Sequence, residues 1–143
     1  MFYKYTVKEQ DGKFTGFVQD LDLETQELSS PEEVKDALVK GLSAYVEVQF
    51  RRQKLPIPLP SEEPKEGDKV LYVPVRLQLR ILLWNTMLKK RYRQADLAKM
   101  LGVSRAQAQM YVNGSSGVSV ESYEKALKAM DVFPTVSLID AEK

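Results

Sequence analysis

Three carboxylates at alternate positions, Asp20, Asp22 and Glu24, have a spacing that invites chemistry. In an extended segment they share one face. Two Mg²⁺ ions held between carboxylates would equip a nuclease. Such a site draws its ligands from several elements, however, and the sequence offers no convincing partners. Polar-out alternation on a half-solvated sheet gives the same pattern, and that is the reading adopted. The chain contains no His and no Cys. It therefore lacks the usual zinc ligands and general bases, a thiolate nucleophile and any disulfide. The expectation is a non-enzymatic, cytoplasmic protein with no catalytic residues, no metal and no cofactor.

A second constellation is "QADLAKMLGVSRAQAQMYVNG", Gln94 to Gly114. Leu97, Ala98 and Leu101 form the inner face of one helix, and small Ala98 lets another helix cross closely. Gly102 suits a left-handed helix stop. Ser104 with Gln107 makes a capping box for the next helix, whose Ala108 and Val112 point inward. This is the pattern of two helices crossing over a tight turn. The outward face of the second helix carries Arg105, Ala106, Gln109, Met110 and Asn113 and no acid. Arg can bond guanine at two points and Gln can bond adenine, while Ala and Met can meet a thymine methyl. Gln94 is positioned to reach a phosphate beside the first helix. Arg93 stands where a Ser or Thr cap is expected and opposes the helix dipole. A nearby phosphate would relieve that conflict, and a tolerated surface Arg is the equal alternative.

The charge distribution runs in the same sense. Residues 1–75 carry 10 Lys and Arg against 14 Asp and Glu, and residues 76–143 carry 11 against 6. Within 76–130 the counts are 10 and 3. An acidic module followed by a basic one suggests two partners. At 43% hydrophobic and 29% charged residues the composition is that of a globular protein. No apolar run reaches the ~20 residues of a membrane helix, and the charged, alternating N-terminus does not read as a signal peptide.

The elements that must hold these residues follow from periodicity. "MFYKYTVKE" reads as a strand, "QDGK" as an Asp-Gly hairpin turn, "FTGFVQDL" as the return strand and "LETQELS" as a weaker third. Ser30, Pro31 and Glu33 start a helix that buries Val34, Leu38, Leu42 and Tyr45 and runs to about Arg52. Pro56, Pro58, Pro60 and Pro64 make residues 55–68 an extended connector. "KVLYVPV" is a last strand, expected to rejoin the N-terminal sheet. Helical spacing then returns, with Leu77, Ile81, Trp84 and Leu88 on one face. Helices follow at 94–101, 104–112 and 120–130. The expected class is α+β, an antiparallel sheet with one packed helix followed by an all-α domain, with the division at 75/76.

Residues 77–130 resemble a lambda-repressor-like (Cro-type) helix-turn-helix domain through the Q-x-x-L-A-x-x-x-G-V-S core and the closing Asn-Gly. The resemblance implies phosphate contact by Gln94, base contacts by Arg105, Ala106, Gln109 and Met110, and backbone contact supported by Asn113. With Arg93 and Ser104 these make the expected DNA-binding set. A bundle of this type used only for protein contacts is the alternative. The hairpin, "GFVQDL", Thr25-Gln26, the helix from Ser30 and "PIPLPS" at 56–61 extend the likeness. In that order, ahead of a helix-turn-helix, they resemble the HicB-type antitoxins of the HicA/HicB class. The sequence departs from the pattern after "DL", where Asp22-Leu23 stand in place of a common Pro-Gly.

This resemblance implies a truncated ribonuclease-H-like module without catalysis that blocks a HicA-type ribonuclease toxin, while the C-terminal module binds operator DNA. Asp20, Asp22, Glu24 and Gln26 are the expected toxin-facing residues, since complementary charge suits a basic toxin. A ligand-sensing transcription regulator without a toxin is the alternative. The tail at 133–140 is apolar and strand-like, with Pro134 barring helix. Val136, Leu138 and Ile139 are expected to pair with a second copy in a dimer or higher oligomer, the other possibility being that the tail folds back on its own domain.

Overall fold

The computed structural model describes residues 1–114 and 117–140. Residues 141–143, the end of the C-terminal module drawn from sequence, lie outside the described residues.

Strands β1 (Phe2–Lys4) and β2 (Thr6–Gln10) are separated only by Tyr5. β2 turns through Asp11 and Gly12, both in the left-handed region, into β3 (Lys13–Val18). This is the turn that Asp-Gly favours, because its twist matches the flanking strands. β3 pairs next with β4 (Leu23–Glu24). The third strand is shorter than expected: beyond Glu24 only the bridge Phe14–Leu28 continues it. A 3₁₀ turn at Gln19–Leu21 and a left-handed Asp22 shape the connection into β4.

Helix α1 (Pro31–Val46) begins where the sequence indicates. The Ser30 hydroxyl accepts from the Glu33 N–H at 3.2 Å, and the Glu33 carboxylate accepts from Ser29 rather than Ser30. Its buried stripe is Val34, Leu38, Leu42 and Val46. Tyr45 is only partly buried, and its hydroxyl donates to the carbonyls of Leu21 and Asp22 at 2.9 and 2.7 Å. Gly16 lets β3 meet this helix, since a Cβ there would overlap Val34 Cγ1. The helix closes in a π-helical turn at Glu47–Arg51, with Arg52 N–H donating to the Glu47 carbonyl.

The proline-rich connector is extended and docked. Tyr3 donates to the Pro58 carbonyl at 2.6 Å, and Asp20 accepts from both the N–H and the hydroxyl of Ser61. β5 (Val70–Tyr72) then pairs antiparallel with β1, Tyr3 opposite Leu71, in a two-stranded sheet separate from the three-stranded β2-β3-β4 sheet. Contrary to expectation it therefore meets only the first strand segment and does not join the hairpin sheet, because the break at Tyr5 divides the first strand.

Helix α2 (Val75–Lys90) is buried on more sides than its periodicity shows. Leu77, Ile81 and Trp84 are buried as expected and Leu88 half-buried, but Leu79, Arg80, Leu83 and Met87 are buried as well. The reason is its central position. Trp84 donates to the Leu55 carbonyl, and Asn85 exchanges two hydrogen bonds with the backbone of Ile57. On its other side α2 packs against α5 (Val120–Ala129). One continuous core thus runs through both halves, from Tyr3 and Leu38 through Ile81 to Leu97 and Leu127.

Candidate nucleic-acid interface

Helices α3 (Gln94–Leu101) and α4 (Arg105–Asn113) form the turn at which the sequence pointed to DNA. Leu97, Ala98, Ala108 and Val112 are buried between them and the rest of the bundle. Gly102, at φ 66°, ends α3, and the Val103 N–H donates to the Ala98 carbonyl at 3.0 Å. A left-handed residue here costs least as Gly. Ser104 and Gln107 cap α4 reciprocally: the hydroxyl accepts from the Gln107 N–H, and the Gln107 side chain accepts from the Ser104 N–H.

The start of α3 is not bare. Arg93 offers no side-chain acceptor, but the Asp96 carboxylate reaches back to the Arg93 N–H at 2.8 Å. That satisfies the residue before the helix and leaves the first-turn N–H groups of α3 without a capping side chain. Arg93, Ser104, Arg105, Ala106 and Gln109 are exposed, and Gln94 and Asn113 are half-exposed. Met110 differs from the expected outward position. It is half-buried and packed against the core, because α4 turns that edge toward the chain around Gly117.

The residue that sequence reasoning missed is Arg80. Only 4% exposed, it donates from Nε to the Val112 carbonyl at 3.1 Å, from Nη1 to Ser43 Oγ and from Nη2 to Glu47 at 2.9 Å. It therefore ties α4, α2 and α1 together. It also explains Gly114: at φ 84°, a Cβ there would sit 2.6 Å from Arg80 Nη1. Burial alone would raise the Glu47 carboxyl. Hydrogen bonding and charge from Arg51, with Arg80 and Arg52 adding to them, hold it below the usual carboxylate range. Burial draws the Arg80 guanidinium down, and Glu47 opposes that shift. A cation inside the apolar run Leu77–Leu83 was the available signal, since such a residue must find a buried partner.

The acidic set at 20–26 is divided. Asp20 is half-buried and committed to Ser61. Asp22, Glu24 and Gln26 are exposed along and beside β4, whose outer edge has no strand partner among the described residues. Thr25 is structural, accepting from the Gly16 N–H at 2.8 Å. The described residues include no group of three or more acidic, His or Cys side chains arranged to hold a metal. No helix among them is long and apolar enough to cross a membrane. The described tail residues 133–140 carry no strand. Val136, Leu138 and Ile139 are 87%, 96% and 59% exposed.

Residues 86–135 match the helix-turn-helix family. A protein named Antitoxin HicB from Pseudomonas fluorescens (strain Pf0-1) is 33% identical over 95 residues, 66% of this chain and 62% of that protein. Antitoxin HicB 2 from Photorhabdus laumondii subsp. laumondii is 34% identical over 96 residues, 67% of this chain and 63% of that protein. This chain is similar to the HicB antitoxins and carries a helix-turn-helix domain. The match spans under two thirds of the length of these HicB relatives. The helix-turn-helix match starts in the last turns of α2, so the first part of that helix, including Arg80, lies outside it.

Proposed function

We propose that this chain is an antitoxin that binds and inhibits a HicA-type ribonuclease and represses its own operon. The observation that carries the DNA-binding part is the exposed, acid-free start of α4 beside the start of α3. There Arg105 and Gln109 are free to read base edges, while Gln94 and Arg93 face the backbone. Asn113 supports that contact, while Met110, packed against the core, contributes less to the base-facing surface than its sequence position implied. The likeness to proteins named Antitoxin HicB supports the toxin-binding part. Asp22, Glu24 and Gln26 form its surface, and Asp20 shapes the loop behind them. An RNA-cleaving toxin is basic, and exposed carboxylates on an edge strand speed encounter with it.

Co-expression with a small basic ribonuclease encoded beside this gene tests the reading. Growth is expected to resume, the two proteins are expected to co-purify, and the complex is expected to retard DNA from upstream of the gene. Continued growth arrest alongside soluble, folded protein overturns the antitoxin assignment. The tail is the dimer element in this proposal: two copies pairing through Val136, Leu138 and Ile139 set recognition helices on half-sites about 34 Å apart, or a multiple of that. Deleting 133–143 is expected to halve the mass in solution and weaken operator binding. An unchanged mass refers dimerisation to another surface.

A second reading has its own observation. A cleft of about 500 Å³ lined by Val39, Leu42, Arg76, Leu77 and Val120 lies between the two halves, where a small ligand of a sensing regulator would enter. Operator binding that responds to a small molecule, with no co-purifying ribonuclease, selects this alternative.

A further inference from the structure

Another cleft, of about 540 Å³, opens where the N-terminal half meets the helix-turn-helix. Arg51, Arg52 and Lys54 line it from one side, Arg93 and Arg105 from the other, with Gln94 between them. No acidic residue lines it. Among the described residues two carboxylates touch lining residues: Asp96 accepts from the Arg93 N–H, and Glu47 is already shared among Arg51, Arg52 and Arg80, so that one negative charge serves three guanidiniums. Arg52 is the loosest of the three, at 3.3 Å with its side chain 64% exposed. Lys54, Arg93 and Arg105 form no ion pair among the described residues. Gathering cations without counter-charge is electrostatically unfavourable, and a bound polyanion reverses the sign of that contribution.

The N-terminal cations are also fixed in place. Lys54 N–H donates to the Arg51 carbonyl and Leu55 N–H to the Phe50 carbonyl, while Trp84 clamps the Leu55 carbonyl onto α2. Arg52 and Lys54 are therefore held on a rigid turn beside the starts of α3 and α4. We infer that Arg52 and Lys54, from the half that binds the toxin, grip the phosphodiester backbone next to the half-site read by α4. This rests on the DNA-binding reading above and extends it. The DNA surface is composite, and the N-terminal half contributes affinity without sequence preference.

The test uses the full chain and two duplexes: DNA from immediately upstream of its own gene and a scrambled duplex of the same length and composition. Arg52→Gln combined with Lys54→Gln is expected to weaken binding to both duplexes by the same factor. The slope of log affinity against log salt should fall by about 2, one for each phosphate that is no longer neutralised. Lys54→Gln alone, at an exposed turn, is expected to give half that change with an unaltered melting temperature. A wild-type chain that binds with a slope the double variant leaves unchanged overturns the composite surface and spares the helix-turn-helix. Weakening confined to the upstream duplex also overturns it, because phosphate binding carries no sequence preference. A wild-type chain that retards neither duplex at low salt overturns the DNA-binding reading itself, and this inference with it.

Discussion

In the N-terminal half two carboxylates are turned inward: Asp20 fastens Ser61 of the connector, and Glu47 holds Arg51 and Arg80. In the helix-turn-helix half Arg93, Arg105 and Gln109 stand exposed. The contrast shows how each half uses polar groups. The first uses several of them to fix shape and leaves a short acidic edge at Asp22 and Glu24. The second fixes its shape with glycine stops, the Ser104–Gln107 cap and local contacts of Lys90 with the Met130 carbonyl and of Lys128 with Glu124, and it leaves Arg93 and Arg105 without an ion pair among the described residues. Arg80 is the exception, a cation of the second half completed only by a carboxylate of the first.

Breaking that exception is expected to have the largest effect. Glu47→Ala leaves Arg80 buried and unpaired, and removing one partner of a buried pair costs about 3–5 kcal/mol. Urea unfolding should show the loss as a lower midpoint, with both halves melting together because they share one core. The same carboxyl sets a pH dependence. Its folded pKa is depressed, so its contribution is present above the unfolded carboxylate pKa and is lost as pH falls through the folded value. Glu47→Gln is expected to flatten the acid limb of the stability–pH curve, and an unaltered acid limb contradicts the assignment.

Gly16→Ala probes the first half alone. Its Cβ would press on Val34, a β-branched residue in a helix with little rotamer freedom. Overpacking of this kind costs about 1–3 kcal/mol. Val34→Ala in the same chain is expected to recover part of the loss. A double variant no better than the sum of its parts shows that the strain lies elsewhere. The second half alone is probed by Arg105→Ala, which should weaken operator binding by about 1–3 kcal/mol and relax preference at one base pair. Its stability should stay unchanged, since the side chain is exposed. An unchanged footprint and affinity would place the base-reading surface away from the start of α4.

Local signals made most of this arrangement legible. The Asp-Gly turn, the Ser30 and Ser104 caps, the Gly102 stop and the bounds of α3 to α5 rest on residues whose conformational preference acts within a turn or two. What escaped the sequence depends on long-range packing. Burial on several sides of α2 comes from the connector and α5, which blur its single apolar stripe. Asp20 looked available because its partner lies 41 residues away. Met110 looked outward because helical spacing does not show the approach of Gly117. The cationic cleft draws its residues from two stretches some forty positions apart, so no single window displays it.

The smallest expected effect is the sharpest on function, because stability and binding move in opposite directions. Arg93 precedes α3 with no acceptor to offer, and a cation there opposes the helix dipole. Asp96 already stands three residues on, its carboxylate on the Arg93 N–H. Arg93→Ser would supply the missing half of a reciprocal cap, with the new hydroxyl accepting from the Asp96 N–H. The fold is expected to gain about 0.5–1 kcal/mol. If Arg93 is retained for phosphate, the same substitution weakens binding to operator and scrambled DNA alike, and the salt slope falls by about 1. Thermal melts and salt titrations on one preparation give both numbers. A more stable variant that binds with an unchanged salt slope identifies Arg93 as a tolerated surface residue. A less stable variant with a lower slope shows that Arg93 supports the fold through interactions other than those at the helix start.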